Sequence, residues 1–387
     1  MSDRPRVLVV IGTRPEGIKL APVVEALERR SEQVEVRTAL TGQHSELLDH
    51  VLEIFDLVPD WDLGIMREGQ DLYDVAQGTL SGLRPIFRDY RPDLVVVQGD
   101  TASVFFGALA AFFERTRVAH VEAGLRSRDK WKPFPEEILR RLTGVVADLH
   151  FAPTAGARAN LLAEGVAPES IHVTGNTVVD ALHAIARNER PVRDARLRAA
   201  LDGGARLVLL TAHRRESFGA PLQEAFGAVR ELADHYRDVV FLYPVHPNPQ
   251  VRTAASAVLG GHERILLTEP LDYPDLVAAL RRAVLVLTDS GGIQEEAPSF
   301  GTPVLVLREV TERPEGIEAG VARLVGTSRR RILEEAHRLL GDETARQRMA
   351  RAANPYGDGR AGERIADVIV HALTGSPRTL TDWEAGA

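Results

Sequence analysis

Cysteine is absent from the 387 residues. That excludes disulfides, thiolate catalysis and cysteine metal sites. Lysine is scarce, occurring only as Lys19, Lys130 and Lys132, so arginine carries almost all the positive charge. A net charge of −8 argues against broad binding to nucleic acid or to anionic membranes, and any anionic ligand must be met by a local cationic pocket. Long hydrophobic runs are missing as well. None approaches the roughly 18 residues that a membrane span needs. The apolar core of the opening "MSDRPRVLVVIGTRPEG" is too short for a secretory signal, which predicts a cytoplasmic protein. There is no G-x-x-x-x-G-K-[ST], no G-x-G-x-x-G after the first strand, and no His and acid spacing of a zinc site. P-loop ATP hydrolysis, a standard nicotinamide site and a metal centre are therefore not expected.

What is present is an ordinary globular composition, 44% apolar and 26% charged, with length for two domains of roughly 150–200 residues each. Short runs rich in Val, Ile and Leu alternate with helical patterns. About six lie in the first half, from "RVLVVIG" (6–12) to "IHVTG" (171–175), and about six in the second, from "RLVLLTA" (206–212) to "ARLVGT" (322–327). Most are continuously apolar, as in strands covered on both faces. Strand–helix alternation of this kind implies parallel sheets with right-handed crossovers. Twelve strands in one open sheet would be uncommon. The predicted fold class is therefore α/β, with two Rossmann-like domains joined near Gly175–Thr177.

Doubly wound sheets bind ligands at the carboxyl ends of their strands, so the residues just past each strand are informative. After the first comes "TRPE". Thr13 reads as a helix N-cap, Pro15 as a first-turn residue and Glu16 as the acid of a capping box. Capping does not account for Arg14 and Lys19. Cations oppose the dipole at a helix N-terminus, so this pair points to an anion between them. Gln43 and His44 come after the second strand. Asp100 comes after the third, where the plainer reading is an N-cap for the next helix. Glu122 and Arg126 succeed the fourth, in "HVEAGLRS", and Glu136 and Glu137 open the helix after it. Glu137 reads as a dipole-favoured first-turn residue. His213 succeeds the strand at 206–212 and His246 the one at 239–245. In "LTDSGGIQEEAPSFGTPVLVL" (287–307), Asp289 ends a strand and Ser290-Gly291-Gly292 opens a helix predicted to begin at Ile293, which is the form of a pyrophosphate cradle. Glu295 and Glu296 come next, where dipole stabilisation or a hydrogen bond to ribose would use them.

Together, "GTRPEGIKLAPVV", "GQHSELLD", "QGDTAS", "HVEAGLRS", "PFPEEILRRLT", "VTGNTVVDAL", "AHRRESFG", "YPVHPNP", "LTDSGGIQEEAPSFGTPVLVLR", "TERPEGIEAG" and "NPYGDGRAGERI" closely resemble the non-hydrolysing UDP-N-acetylglucosamine 2-epimerases of bacteria. The similarity runs over about residues 5–370 in the family's order. It implies a glycosyltransferase-B-like fold, with parallel-sheet domains facing a cleft. The N-terminal domain would span 1–175, completed by the last helix at 361–374, and the UDP-binding domain 176–360. The implied reaction interconverts UDP-GlcNAc and UDP-ManNAc without cofactor or metal. UDP is eliminated to leave a 2-acetamidoglucal and is then added back.

Carried onto this chain, the family's substrate contacts fall on Arg14, Lys19, Asp100, Glu122, His213, Ser290, Gly291, Gly292, Glu296 and Arg313. The last lies in the "TERPEG" loop, which strand-end reading does not rank. Some relatives carry Gln and Phe after the "LLTEP" strand, where this chain has Leu271 and Leu276, a weaker platform for uracil. Some relatives bind a second UDP-GlcNAc as an activator. Gln43, His44, Gln70, Glu136 and His246 match part of that site, with Gly69 where those relatives carry a cation. The family further suggests a homodimer that supplies ManNAc units for cell-envelope polysaccharide.

Such an elimination needs a carboxylate base near C2 and donors or cations near the diphosphate. Asp100, Glu122 and Glu136 form the candidate acid–base group collectively, with His213 assisting UDP departure. Arg14, Lys19, Arg313 and the 290–292 turn would hold the diphosphate. Sequence does not distinguish which acid takes the proton. The competing readings are a hydrolysing epimerase that releases ManNAc and UDP, a glycosyltransferase of the same fold, and a nucleotide-sugar sensor. A sensor has no need of an acid–base set.

Overall fold

The computed structural model describes residues 4–42, 46–65, 67, 69–188, 190–214 and 217–384, without the side chains of 46–49. Two compact units emerge. One runs through Ala181 and resumes at Tyr356; the other spans Leu182–Pro355.

The first unit is built on a parallel sheet of β1 (Arg6–Ile11), β2 (Glu35–Leu40), β3 (Trp61–Asp62), β4 (Leu94–Gln98), β5 (Arg117–Val121), β6 (Leu149–Ala152) and β7 (Ile171–Val173). Its order is β3-β2-β1-β4-β5-β6-β7. Its helices are α1 (Arg14–Glu28), α2 (Glu46–Ile54), α3 (Leu72–Tyr90), α4 (Ala102–Phe113), α5 (Glu136–Val146), α6 (Ala155–Ala163) and the beginning of α7 (Thr177–Arg187). The second unit holds β8 (Arg206–Thr211), β9 (Val239–Pro244), β10 (Ile265–Thr268), β11 (Ala283–Thr288), β12 (Val304–Val306) and β13 (Ala322–Leu324), in the order β10-β9-β8-β11-β12-β13. Around it lie α8 (Ala195–Asp202), α9 (Ala220–His235), α10 (Pro249–Leu259), α11 (Tyr273–Arg282), α12 (Gly291–Glu296), α13 (Pro314–Glu318), α14 (Arg329–Gly341) and α15 (Glu343–Ala350). The chain then returns to the first unit as α16 (Ala361–Thr374).

The continuous apolar runs have a simple cause. In β1, Val7, Val9 and Ile11 pack with residues of α1 and α16, while Leu8 and Val10 pack with α3 and α4 on the opposite face. Both sides of the strand are dry, so no position can be polar. β8 repeats this, with Val208 and Leu210 against α9 and Leu207 and Leu209 against α8 and α11. The two-residue β3 escapes sequence reading because it is shorter than any pattern that could betray it.

Three local expectations need correction. The hydroxyl of Thr13 does not cap α1. It donates instead to Glu16 Oε1 at 2.8 Å, while Glu16 Oε2 accepts the Gly12 amide at 2.6 Å. Thr101, not Asp100, caps α4, accepting from the Val104 amide. α12 begins at Gly291 rather than at Ile293. Pro22, which the sequence leaves unexplained, sits buried in an uninterrupted α1, and its carbonyl faces Gly362 of α16 so closely that a Cβ there would stand 2.6 Å away. α16 begins without a side-chain cap of its own. Its first amides donate to Asp180 of α7, from Ala361 at 3.1 Å and Gly362 at 2.8 Å, which satisfies donors that every helix start leaves open. Burial pushes the Asp180 carboxyl up to about 7. Among the described residues no helix is long and apolar enough to cross a membrane.

Candidate functional site

In the first unit the carboxyl ends of β1, β4 and β5 carry the acids. Glu122 directly succeeds β5 with φ of 62°, a left-handed conformation that costs a non-glycine residue energy and is often found at functional positions. Side-chain donors hold its carboxylate. Lys19 Nζ lies 2.5 Å from Oε1, Asn176 Nδ2 donates to Oε1 at 3.2 Å, and Gln98 Nε2 donates to Oε2. Asp100 pairs with Arg140 of α5, and Arg140 also approaches Glu137 at 3.6 Å. Burial raises the Asp100 carboxyl, Arg140 and Lys19 oppose that rise, and Glu122 and Glu136 add to it. Asp100 therefore feels the charge of both Glu122 and Glu136. Glu136 Oε2 is buried with no hydrogen-bond partner among the described residues. Arg14, half-buried at the start of α1, forms no ion pair among the described residues.

Other conspicuous residues of this stretch hold structure. His120 is buried, its Nε2 lies 2.7 Å from the Gly99 carbonyl oxygen, and burial lowers it to about 3. Arg126 is clasped by both oxygens of Glu164, at 2.8 and 2.7 Å. Glu137 is not merely a dipole-favoured residue. It is 1% exposed and accepts the amides of Ser127 and Arg128, anchoring the loop that leads into α5.

In the second unit, Asp289 sits just past β11 and is buried. Its Oδ2 accepts the amides of His213 (2.7 Å) and Arg214 (2.8 Å). The rings of His213 and His246 stack, with centroids 5.4 Å apart and planes 12° apart. Burial, then the charge of His213, lowers His246. Beside the Ser290-Gly291-Gly292 turn gather three arginines and two glutamates. Arg313 pairs with Glu295, Arg308 meets Glu312 at 2.5 Å and Arg214 meets it at 3.3 Å. A Cβ on Gly291 would lie 2.9 Å from Glu312 Oε1, so the absent side chain is what leaves room for this cluster. Gln294 steadies the turn, donating to the Ser290 carbonyl at 3.1 Å and accepting from Thr311 at 2.6 Å. Glu296 belongs to the same short helix. Leu271 and Leu276 pack against the core of this unit.

Of the remaining candidates, Gln70 bonds within its own loop, donating to the Ile65 carbonyl at 3.1 Å; Gln43 and His44 lie outside the described residues. Sequence reading passes over Gln98, Arg140 and Asn176 around the acids, and Arg308 and Glu312 around the turn. Only Arg140 leaves a signal, one helical turn after Glu136. No group of three or more His, Asp or Glu able to hold a metal occurs among the described residues.

Two parallel α/β units with acids and bases at their strand ends define a glycosyltransferase-B-like protein. The chain belongs to the UDP-N-acetylglucosamine 2-epimerase family, whose model it matches over residues 25–370. It is 47% identical over 371 residues to the UDP-N-acetylglucosamine 2-epimerase of Escherichia coli K12, covering 94% of this chain and 98% of that one. The enzyme of the same name from Bacillus subtilis 168 is 47% identical over 367 residues, 94% of this chain and 95% of the relative. Among solved structures, UDP-GlcNAc 2-epimerase from Neisseria meningitidis, bound to UDP-GlcNAc, superposes with a TM-score of 0.84 at 39% identity, over 96% of this chain and all of that one.

Proposed function

We propose that this chain is a non-hydrolysing UDP-N-acetylglucosamine 2-epimerase, interconverting UDP-GlcNAc and UDP-ManNAc through elimination and re-addition of UDP. The observation that carries the reading is the trio Asp100, Glu122 and Glu136 with Lys19 and Arg140 at one sheet edge. Proton removal at C2 needs a carboxylate that can change its protonation state, and one general base contributes about 10²–10⁴-fold. Glu122 is held by Lys19, Asn176 and Gln98, so it orients the sugar and stabilises charge. Asp100 and Glu136 are the carboxyls left to move protons. Glu136 has an oxygen to spare, and burial favours the protonated form of Asp100.

The departing diphosphate needs positive charge and donors. In this reading Arg14, Lys19, Arg313, Ser290 and the amides of Gly291 and Gly292 supply them, His213 assists departure, and Glu296 accepts from ribose. Leu276 offers uracil an aliphatic contact. Gln70, Glu136 and His246, with Gln43 and His44, would serve an activating second nucleotide sugar. The protein acts in the cytoplasm as a homodimer and feeds ManNAc units to envelope polysaccharide. Phe112 and Phe113 on α4, with Leu142 and Val145 on α5, are exposed on two helices that pack together, and an apolar surface of this kind supports self-association.

Incubation with UDP-GlcNAc alone, followed by separation of products, tests the reading. A mixture of UDP-GlcNAc and UDP-ManNAc is expected. Free ManNAc with UDP would make the protein a hydrolysing epimerase. No conversion without an acceptor, even with both nucleotide sugars present to allow for activation, would point to a transferase or a sensor.

A further inference from the structure

We propose that Asp289 is a positioning residue for His213, holding the neutral imidazole with its proton on Nδ1 so that Nε2 is the atom presented to substrate. The proposal rests on the role given to His213 above. Asp289 is 1% exposed. One oxygen, Oδ2, is fully engaged by the amides of His213 and Arg214, which pins the loop after β8 to the end of β11. The other, Oδ1, is buried and lies 3.1 Å from His213 Nδ1. That contact is at ion-pair distance but outside hydrogen-bond geometry, and Oδ1 has no other partner among the described residues. A rotation of the ring would complete the bond.

The lone pairs decide the tautomer. A buried carboxylate oxygen needs a donor. If Nδ1 were bare, its lone pair would face those of Oδ1 and both groups would go unsatisfied; with the proton on Nδ1, both are satisfied. Stacking on His246 limits ring swing. His246 Nδ1 already accepts the Asn248 amide at 3.2 Å. Among the described residues, the other titratable groups nearby include Tyr243 from β9, whose hydroxyl donates to the Ala212 carbonyl at 2.7 Å, and Arg214, held by Glu312. Neither supplies a competing acceptor for Nδ1. Nε2 is therefore the position at which His213 takes a proton from solvent and passes it to the oxygen of the leaving diphosphate, which returns the ring to its neutral Nδ1–H form. The return step moves the same proton back.

Substitution D289N tests this. Its amide would turn a donor towards Nδ1 and favour the opposite tautomer. We expect kcat to fall on the order of 10²–10⁴-fold, with KM for UDP-GlcNAc changed less than about threefold because ground-state contacts persist. Nitrogen-15 NMR of histidine-labelled protein, with the His213 signals identified by their loss in H213Q, reads the tautomer directly. The neutral ring should carry its proton on Nδ1 in the natural protein and on Nε2 in D289N. An Nε2–H tautomer in the natural protein overturns the proposal, even if D289N does not fold. So does a D289N enzyme with unchanged kcat beside an impaired H213Q. A fully active H213Q would instead overturn the reading of His213 itself.

Discussion

Asp100 and Arg140 show how a single cation sets the working state of an acid. Burial raises the Asp100 carboxyl and Arg140 is the largest opposing influence. Replacing Arg140 by Met should therefore raise Asp100 further, moving the acid limb of the pH profile of kcat/KM to higher pH and cutting activity at neutral pH by about 10–100-fold, in line with the cost of leaving a buried charge unpaired. Glu16 makes a second, opposite case. It accepts the Gly12 amide and the hydroxyls of Thr13 and Thr101, yet burial still lifts it to about 7. The folded state keeps this proton up to neutral pH while the unfolded chain releases it near 4.5. Stability from this group is complete below pH 4.5 and is lost as pH rises towards 7. His120 and His150, lowered by burial to about 3 and about 4, work the other way, losing stability as pH falls below 6.5. Denaturant titrations of E16Q and the natural protein should diverge in favour of E16Q by about 1–3 kcal/mol between pH 5 and pH 8; parallel curves would contradict this. Asp100, Glu122 and Lys19 are legible in the sequence because they lie past strands or open a helix against its dipole. Gln98 and Asn176 are not, because an amide at a strand end is chemically ordinary until register puts it on a carboxylate. His120, at the head of "HVEAGLRS", lies inside the sheet between Val97 and His150.

Among the elements, two glycines separate packing from function. Gly362 lets α16 approach α1 so closely that a Cβ would stand 2.6 Å from the Pro22 carbonyl oxygen. Backbone cannot yield there as a side-chain tip can, so G362A should destabilise the first unit by about 2–4 kcal/mol, measured by chemical denaturation. At Gly291 the obstacle is the carboxylate tip of Glu312, 2.9 Å away, which can swing aside. G291A should leave stability within about 0.5–1 kcal/mol but displace Glu312 from Arg214 and Arg308. Its signature is a raised KM for UDP-GlcNAc. Unchanged KM would remove the turn from the nucleotide-sugar site. The turn itself is readable in "TDSGG" because a strand, two glycines and a helix start fall in a few residues. The arginine cluster beside it is not, since Arg214 lies far before Arg308 and Arg313 in sequence and reaches them through Glu312.

For the molecule as a whole, alternating apolar runs and helices announce two parallel sheets, and the structure has them. Less visible is how α16 completes the first unit's core with Ile365, Ala366, Val368, Ile369 and Val370. Its amphipathic pattern says that it packs, not where; the family resemblance supplies that placement, and Asp180 and Gly362 supply its physical cause. Each large apolar side chain buried is worth about 1.5–3 kcal/mol, and domains have about 5–15 kcal/mol to lose. Removal of residues 356–387 should therefore unfold the first unit and leave the second folded, read as loss of slow hydrogen exchange in β1, β4 and β5 with retention in β8 and β11. The mechanism as a whole stands on the C2 proton leaving and returning. Proton NMR of the purified protein with UDP-GlcNAc alone in D₂O reads that exchange. UDP-ManNAc and recovered UDP-GlcNAc should both carry deuterium at C2. UDP-ManNAc that keeps its original C2 proton, or no UDP-ManNAc at all, would refute the mechanism.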